Sequence, residues 1–293
     1  MPSSAIRSRR VHPAAAVSLL AALSSSTPAC TVINDLNREQ CVTDTDCSQR
    51  GEAFAKTVCR TNVCVPDPTW GCLGNVTWPP PVGTGKVTAR LVLTDLLTGA
   101  PVTDATARSC TKLDTQCTTP VASDFHSDAE GILPVELDKH FDGFLEISAP
   151  GKLNPILYFF YPPVDSDRTI PFVPLVPPEA YDQLAKQVGT GLLLTRGAAI
   201  ALSYDCQGVT APGIQFSIDD ADESTLPFFM EKGLPSITAT ETDTSGQGGF
   251  VNVKPGIRRL SGSLRESGAH IGTVSVVVRA PLITYTTMVP TPE

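Results

Sequence analysis

The sequence predicts an all-β protein with two Greek-key β-sandwiches in tandem, preceded by a small disulfide-rich segment. Two similar turns carry this prediction. Asp128 lies three residues before Gly131, and Asp243 lies three residues before Gly246; Asp at the first and Gly at the fourth position is the chemistry of a type I turn. Short apolar strands follow each turn, and only one stretch of the chain predicts a helix.

Alternating apolar and polar residues predict half-buried strands on either side of these turns. Prolines within 170–178 confine that extended stretch to a sheet edge. Pro178 at the first turn and Gly189 at the end predict the one helix, which connects the two halves. The predicted strands are 87–93, 133–137, 143–151, 156–161, 198–204, 214–218, 260–264, 274–278 and 282–285.

The N-terminus predicts export. A basic region at Arg7–Arg10 precedes the short apolar run 14–23, which is typical of a signal peptide and too short to span a membrane. Residues 1–29 contain three Arg and no acidic residue, so the remainder carries 19 basic and 30 acidic side chains, a net charge of −11. Such an acidic surface argues against nucleic-acid binding, which needs Lys and Arg patches.

The end of this leader, LSSSTPAC, resembles a bacterial lipobox, with Thr27 where Leu is typical. The resemblance implies that Cys30 is acylated and anchors the protein to a membrane. Nine cysteines are an odd number, and removing Cys30 leaves eight. By analogy with lipoprotein sorting, Thr31 instead of Asp implies the outer membrane, on its periplasmic or cell-surface side. The alternative is signal-peptidase cleavage near Ala29 and a secreted protein.

The remaining eight cysteines predict disulfides in an oxidising compartment. The segment around the first five has too few large apolar side chains to form a core, so cross-links must substitute. Cys110 and Cys117 are close enough in sequence to pair, which leaves Cys206 for one of the five; Cys72 is the nearest, although spacing does not settle connectivity. A zinc site is disfavoured in this cysteine-rich segment, because the segment contains one C-x4-C unit and no His. The five are Cys41, Cys47, Cys59, Cys64 and Cys72.

Two family resemblances follow from these motifs. The run CVTDTDC with its later cysteines resembles the Dickkopf-like segment of some bacterial surface lipoproteins. DLLTGAPVTDA, SDAEG and GFLEISAPG, with YDCQGVTAPGIQF and TDTSGQGGFVNVKPG, resemble the carboxypeptidase regulatory-like (transthyretin-like) β-sandwich. That resemblance implies seven-stranded sandwiches without chemistry of their own. The predicted parts are a signal peptide (1–29), a tether after lipidated Cys30 (30–40), a cysteine-rich segment (41–76), a Pro/Gly linker (77–85), a first sandwich (86–176), a connecting helix (177–189) and a second sandwich (190–293).

Three features are candidates for chemistry or binding. The acidic cluster of Asp219, Asp220, Asp222 and Glu223 is a candidate weak Ca²⁺ loop, although it lacks the EF-hand pattern and a solvated loop is the alternative. His126 lies beside two Asp residues and is a candidate for a dispersed hydrolase site. No G-x-S-x-G or H-E-x-x-H motif is present in the sequence.

The third feature is the aromatic pair Phe228 and Phe229. If the two rings form an exposed patch, they could bind a sugar; the alternative is that they belong to a strand and are buried in the core. The sequence therefore predicts a non-enzymatic envelope lipoprotein that presents binding or structural modules and needs no cofactor. Its partner would be an unknown protein or glycan. The alternatives are a secreted glycan-binding accessory protein and a hydrolase around His126.

Overall fold

A computed structural model describes residues 39–292 apart from 55, 56, 79, 81, 159–163, 188–190 and 192. The fold is all-β, as the sequence predicts. The signal peptide and Cys30 lie outside the described residues. The N-terminal segment contains α1 (Asp44–Ser48), a 3-10 turn (Glu52–Phe54), β1 (Thr57–Arg60) and β2 (Val63–Pro66).

The rest of the chain contains two runs of strands separated by one helix. The helix, α2, spans Pro178–Gln187, within the stretch where it was predicted. The first run is β3 (Lys86–Asp95), β4 (Thr106–Thr111), β5 (Ala122–His126), β6 (Ile132–Asp138), β7 (Gly143–Ser148), β8 (Ile156–Tyr158) and β9 (Arg168–Leu175). The second run is β10 (Gly197–Ser203), β11 (Ile214–Ile218), β12 (Leu226–Glu231), β13 (Leu234–Ser236), β14 (Gln247–Val253), β15 (Gly256–Leu264), β16 (His270–Val278) and β17 (Ile283–Met288).

The two runs share one topology, and we call them the first repeat (86–175) and the second repeat (197–288). Strand β3 pairs antiparallel with β6 and parallel with β9, and β10 pairs in the same way with β14 and β17. The orders β4-β7-β8 and β11-β15-β16 also correspond. The internal repeat inferred from the turn motifs is therefore present in the strand connections.

Hydrogen bonds at the two predicted turns are the same in both repeats. The amides of Gly131 and Gly246 donate to the carbonyls of Asp128 (3.0 Å) and Asp243 (2.9 Å). The carbonyls of the two glycines then accept from β3 and β10. Both glycines have a left-handed backbone, with φ of 75° and 69°, which explains why Gly is required at this position.

The two repeats are joined through a shared sheet, which the sequence did not predict. Strand β17 of the second repeat pairs in parallel with β8 of the first, with Tyr285 opposite Leu157. The result is a nine-stranded sheet in the order β13-β12-β14-β10-β17-β8-β7-β4-β5. Residues 40–293 form one compact unit, and the sandwich boundaries inferred at 86–176 and 190–293 stay predictions.

The two three-stranded sheets, β6-β3-β9 and β11-β15-β16, lie on opposite faces of the shared sheet. Neighbouring residues of a strand point to opposite faces, and on β7 the buried Leu145 joins the core under β6-β3-β9, whereas the buried Phe144 joins the core under β11-β15-β16. One small sheet therefore covers one face of the shared sheet and the other small sheet covers the opposite face, and β7 packs against both. Strand β9 lies at the edge of its sheet, which confirms the edge position inferred from its prolines.

The cysteine-rich segment lies against the second repeat, although the first repeat follows it in sequence. Cys72 is bonded to Cys206, the amide of Cys206 donates to the carbonyl of Thr69 at 3.0 Å, and Leu73 is buried in the second core. The other disulfides are Cys41–Cys59, Cys47–Cys64 and Cys110–Cys117. No helix of the described residues is both long and apolar enough to cross a membrane.

Candidate functional site

The acidic loop that was a candidate for Ca²⁺ is held in an ion-pair network. Asp222 contacts Arg196 at 2.9 Å and Lys254 at 3.5 Å. Asp220 also contacts Lys254, at 3.1 Å. Asp219 accepts a hydrogen bond of 2.8 Å from the backbone amide of Arg259. Most of the negative charge of the loop is therefore matched by basic side chains of the same protein.

The described residues do not bring these carboxylates together as cation ligands. Within the described part of the chain, the one group of three or more metal-capable side chains is Cys41, Cys47 and Cys64. Those three sulfurs belong to two disulfides and so are not the thiolates that zinc binds. Glu223 is exposed. The geometry of the described residues gives no support to a calcium or zinc site.

The Asp222 carboxylate instead predicts an acid-sensitive contribution to stability. The Arg196 guanidinium, which donates to it, holds the pKa of Asp222 well below its ordinary value of 3.8. We expect Asp222→Asn to lower the midpoint of thermal unfolding at neutral pH. The difference from the wild type should narrow as the pH falls below 3.8, because there the unfolded chain binds a proton that the folded carboxylate excludes.

The matched control is Glu223→Gln, which removes the charge of an exposed neighbour that has no ion-pair partner among the described residues. We expect this variant to have the same midpoint as the wild type across that pH range. A constant difference between wild type and Asp222→Asn at every pH would contradict the ionic origin of the stabilisation.

His126 is exposed on β5 and does not complete a catalytic arrangement. It lines a cleft of about 490 Å³ that also contains Asp124 and Ser123. The Ser123 hydroxyl donates to Asp124 at 3.3 Å and not to His126, so no nucleophile is activated by a base in the described geometry. The hydrolase hypothesis has no geometric support in this cleft.

The aromatic pair is buried in strand β12. Phe228 is 7% and Phe229 4% exposed, and the ring of Phe229 stacks on Phe216 with centroids 5.8 Å apart. Neither ring is exposed on the surface as a platform on which a sugar could stack. The prediction that these residues belong to a buried strand is confirmed. The glycan hypothesis therefore has no exposed aromatic patch here to support it.

A different site lies where α2 covers the shared sheet, and we call it the sheet–helix pocket. It has a volume of about 340 Å³, within the range of roughly 300–1,000 Å³ typical of small-molecule sites. Its walls come from α2, from the edge of the first repeat at Phe172 and Pro174, and from the shared sheet. Strands β10, β12, β14 and β17 of the sheet contribute the apolar side chains of Ala198, Ile200, Phe228, Met230, Val251 and Ile283, and β13 adds Leu234 and Pro235.

The position of this pocket follows from the fused sheet. The second repeat's small sheet covers only the opposite face, so the face with Ile200 and Met230 is left to α2 and the edge of the first repeat. The corresponding face in the first repeat carries the ion pair of Arg108 and Glu146 beside the buried Phe144. The pocket face has no ion pair of this kind among the described residues.

Two tyrosines provide the polar groups inside this apolar lining. Tyr181 on α2 is 7% exposed and Tyr285 on β17 is 9% exposed. Neither hydroxyl has a hydrogen-bond partner among the described residues. Burial raises the pKa of Tyr181 to about 12 and also raises the pKa of Tyr285. Both phenols are therefore neutral near physiological pH and able to donate a hydrogen bond.

Among the described residues, the lining contains no charged side chain. Its other polar groups are the amide side chains of Gln183, Gln187 and Gln247. At the mouth of the pocket, Phe172 is 51% and Leu234 61% exposed, so apolar surface continues to the solvent. An uncharged apolar pocket with a few polar groups is the usual form of a small-molecule site.

This pocket was not predicted, although the apolar pattern of two strands of the second repeat points to a covered sheet face. Strands with one solvated face alternate between apolar and polar residues, whereas strands covered on both faces have continuous apolar runs. The pairs Phe228–Phe229 and Phe250–Val251 place apolar side chains on both faces of β12 and β14. These runs indicate that the outer face of the second sandwich is covered, but not by which element.

These features of the described residues define a disulfide-bonded β protein with two fused sandwiches and an apolar pocket. No protein-family model and no curated protein sequence matches the chain. It is similar to the solved structure of the Bacillus anthracis TIE protein, at 11% identity and a TM-score of 0.22. That match covers 70% of this chain and 34% of the other, so the chain spans about a third of that protein's length.

Two pilins are similar at the same level. The shaft pilin SpaA of Lactobacillus rhamnosus GG has 10% identity and a TM-score of 0.22, over 72% of this chain and 99% of that one. The minor pilin GBS52 of Streptococcus agalactiae has 14% identity and a TM-score of 0.21, over 71% and 98% of the two chains. We assign neither a family nor a function from similarities this weak.

Proposed function

We propose that this protein is a non-catalytic binding module that holds a small apolar molecule in the sheet–helix pocket. The observation that carries the proposal is the lining itself, which among the described residues is mostly apolar and uncharged and contains the hydroxyls of two largely buried tyrosines, neither of which has a hydrogen-bond partner there. A pocket of this kind gains affinity mainly by removing apolar ligand surface from water. None of the candidate catalytic residues is positioned for a reaction, and none is required for binding.

The module would act outside the cytosol, held to the outer membrane by an acyl group on Cys30 or, without acylation, secreted. Four disulfides and the lipobox-like leader support this placement. The intact mass of the mature chain tests it: cleavage before Cys30 with added acyl chains is expected, and an unacylated chain would contradict the anchor. The carboxypeptidase regulatory-like resemblance, which the common topology of the repeats supports, remains part of this proposal, and so does the Dickkopf-like resemblance of the cysteine-rich segment.

Binding can be tested with phenylnaphthylamine, an uncharged dye whose fluorescence rises in apolar sites. We expect saturable binding by the wild type. Ile200→Trp should weaken it by about tenfold or more, because the larger side chain occupies the pocket. The matched control is Ile257→Trp, the same substitution on β15 at a side chain that is 51% exposed and does not line the pocket.

Folding of each variant is checked by its unfolding midpoint before the titration. Equal dye affinity in the wild type and in folded Ile200→Trp would overturn the proposal, since the dye would then bind elsewhere. Loss of dye binding in both Ile200→Trp and Ile257→Trp would also overturn the proposal, since the effect would then not depend on the pocket.

A further inference from the structure

We infer that the sheet–helix pocket selects an uncharged, mostly apolar molecule that carries a hydrogen-bond acceptor, such as the carbonyl oxygen of a neutral single-chain lipid ester or ketone. This inference rests on the binding role proposed above and adds the chemistry of the ligand. Three properties of the pocket lead to it: the absence of charge, the unpartnered phenols, and the volume.

Charge is the first property. No Lys, Arg, Asp, Glu or His is among the described residues that line the pocket, so a charged ligand group would lose its hydration without gaining a counter-ion from them. The charged residues of α2 do not change this. Lys186 and Asp182 pair with each other at 2.6 Å, with side chains that are 70% and 50% exposed. Glu179 is exposed and is not among the lining residues.

The hydroxyls of Tyr181 and Tyr285 are the second property. A neutral phenol donates one hydrogen bond, and a bound ligand that covers this donor without accepting from it leaves an unsatisfied polar group, which is costly. A ligand with a carbonyl oxygen would satisfy such a donor, whereas a pure hydrocarbon would cover it and leave it unsatisfied. The pocket therefore discriminates among apolar molecules by the acceptor that they carry.

The volume is the third property. At about 340 Å³ the pocket lies near the lower end of the range of roughly 300–1,000 Å³ for small-molecule sites. This size favours one chain or one compact ring system over a lipid with several chains. The exposed apolar side chains at the mouth, Leu97, Phe172 and Leu234, give the distal part of a chain a surface to contact. The amides of the three lining glutamines are uncharged and add no preference for an ion.

The test uses three probes with the same dodecyl chain and different head groups: methyl dodecanoate, dodecanoate and dodecyltrimethylammonium. Each competes with phenylnaphthylamine on the full mature protein, below the concentration at which the probe forms micelles. We expect the neutral ester to displace the dye. Both ions should compete at least roughly tenfold more weakly than the ester, because their charged head groups would lose hydration in the pocket without gaining a counter-ion.

Tyr181→Phe and Tyr285→Phe then test the acceptor. Each substitution removes only a hydroxyl. At least one of them should lower the affinity for the ester by about two- to tenfold, which corresponds to the loss of one hydrogen bond. The affinity for the dye, which offers no carbonyl, should change less. The matched control is Tyr204→Phe, a tyrosine that does not line this pocket, and we expect it to bind the ester like the wild type.

The outcomes separate this inference from the proposed function. If neither the dye nor any dodecyl probe binds, the proposed function fails. If a charged probe binds as well as the ester, the pocket remains a binding site but its selectivity for neutral ligands is wrong. If the ester binds and both Tyr181→Phe and Tyr285→Phe bind it as tightly as the wild type, the inference that the ligand accepts a hydrogen bond from a tyrosine is overturned.

Discussion

Replacing Gly246 by alanine is expected to lower the free energy of unfolding by roughly 2–5 kcal/mol, through backbone strain and a local clash. Gly246 has φ of 69°, a conformation that costs a residue with a Cβ. A Cβ there would also lie 2.6 Å from the carbonyl oxygen of Ser203 and 3.1 Å from the amide nitrogen of Ala211. Both atoms are backbone of the same sandwich and cannot move independently. Chemical denaturation of the two proteins measures the difference.

The matched control is Gly208→Ala. Gly208 has φ of 75°, and a Cβ there would meet no atom within 4 Å. We expect a loss of only about 1–2 kcal/mol, the conformational part alone. An equal loss in both variants would show that close packing at the Asp243–Gly246 turn does not contribute. Gly131→Ala, at the equivalent turn of the first repeat, should behave like Gly246→Ala, because its Cβ would lie 2.8 Å from the carbonyl oxygen of Leu93.

Replacing Phe144 by alanine is expected to cost about 3–5 kcal/mol, the usual range for a buried aromatic side chain. Phe144 is fully buried. Its ring centroid lies 5.5 Å from that of Tyr158 and 5.5 Å from the guanidinium carbon of Arg279. Phe144 and Tyr158 belong to the first repeat and yet pack in the core of the second. We therefore expect this variant to destabilise both repeats together, in one cooperative transition.

Leu133→Ala provides the comparison within the core of the first repeat. Leu133 is fully buried in that core, and its truncation should cost about 2–5 kcal/mol. Circular dichroism follows all strands, while the fluorescence of Trp70, recorded in a Trp78→Phe background, reports on the core of the second repeat, against which it packs. Coincident transitions are expected with both signals in both variants. If the Trp70 transition of Leu133→Ala stayed at the wild-type midpoint, the two repeats would unfold independently.

The turns were predictable because their cause is local. An Asp–x–x–Gly sequence specifies the turn, and the left-handed Gly is required wherever the fold is formed. The proline-rich edge strand and the helix after Pro178 were predictable for the same reason, since proline restricts the backbone on its own. The pairing of Cys72 with Cys206, across 134 residues, was suggested only by elimination and needed the structure to establish it.

The joining of the sandwiches was not predictable, because it depends on pairing between distant strands. Nothing in the residues of β8 or β17 states that Leu157 lies beside Tyr285; the apolar runs show only that both faces are covered. The acidic loop shows the same limit. Its carboxylates are conspicuous in sequence, whereas their partners, among them Arg196 and Lys254, come from other parts of the chain.

Local sequence therefore determines an all-β protein, a repeat marked by two equivalent turns, and a cysteine content suited to an oxidising compartment, because backbone conformation and composition are properties of neighbouring residues. The tertiary structure alone decides that the repeats share a nine-stranded sheet and that the cysteine-rich segment is bonded to the second repeat. It also decides that an apolar pocket forms under α2. The physical reason is that a sheet edge, a disulfide and a pocket wall each need two segments to meet, and the side chains of one segment do not specify the other.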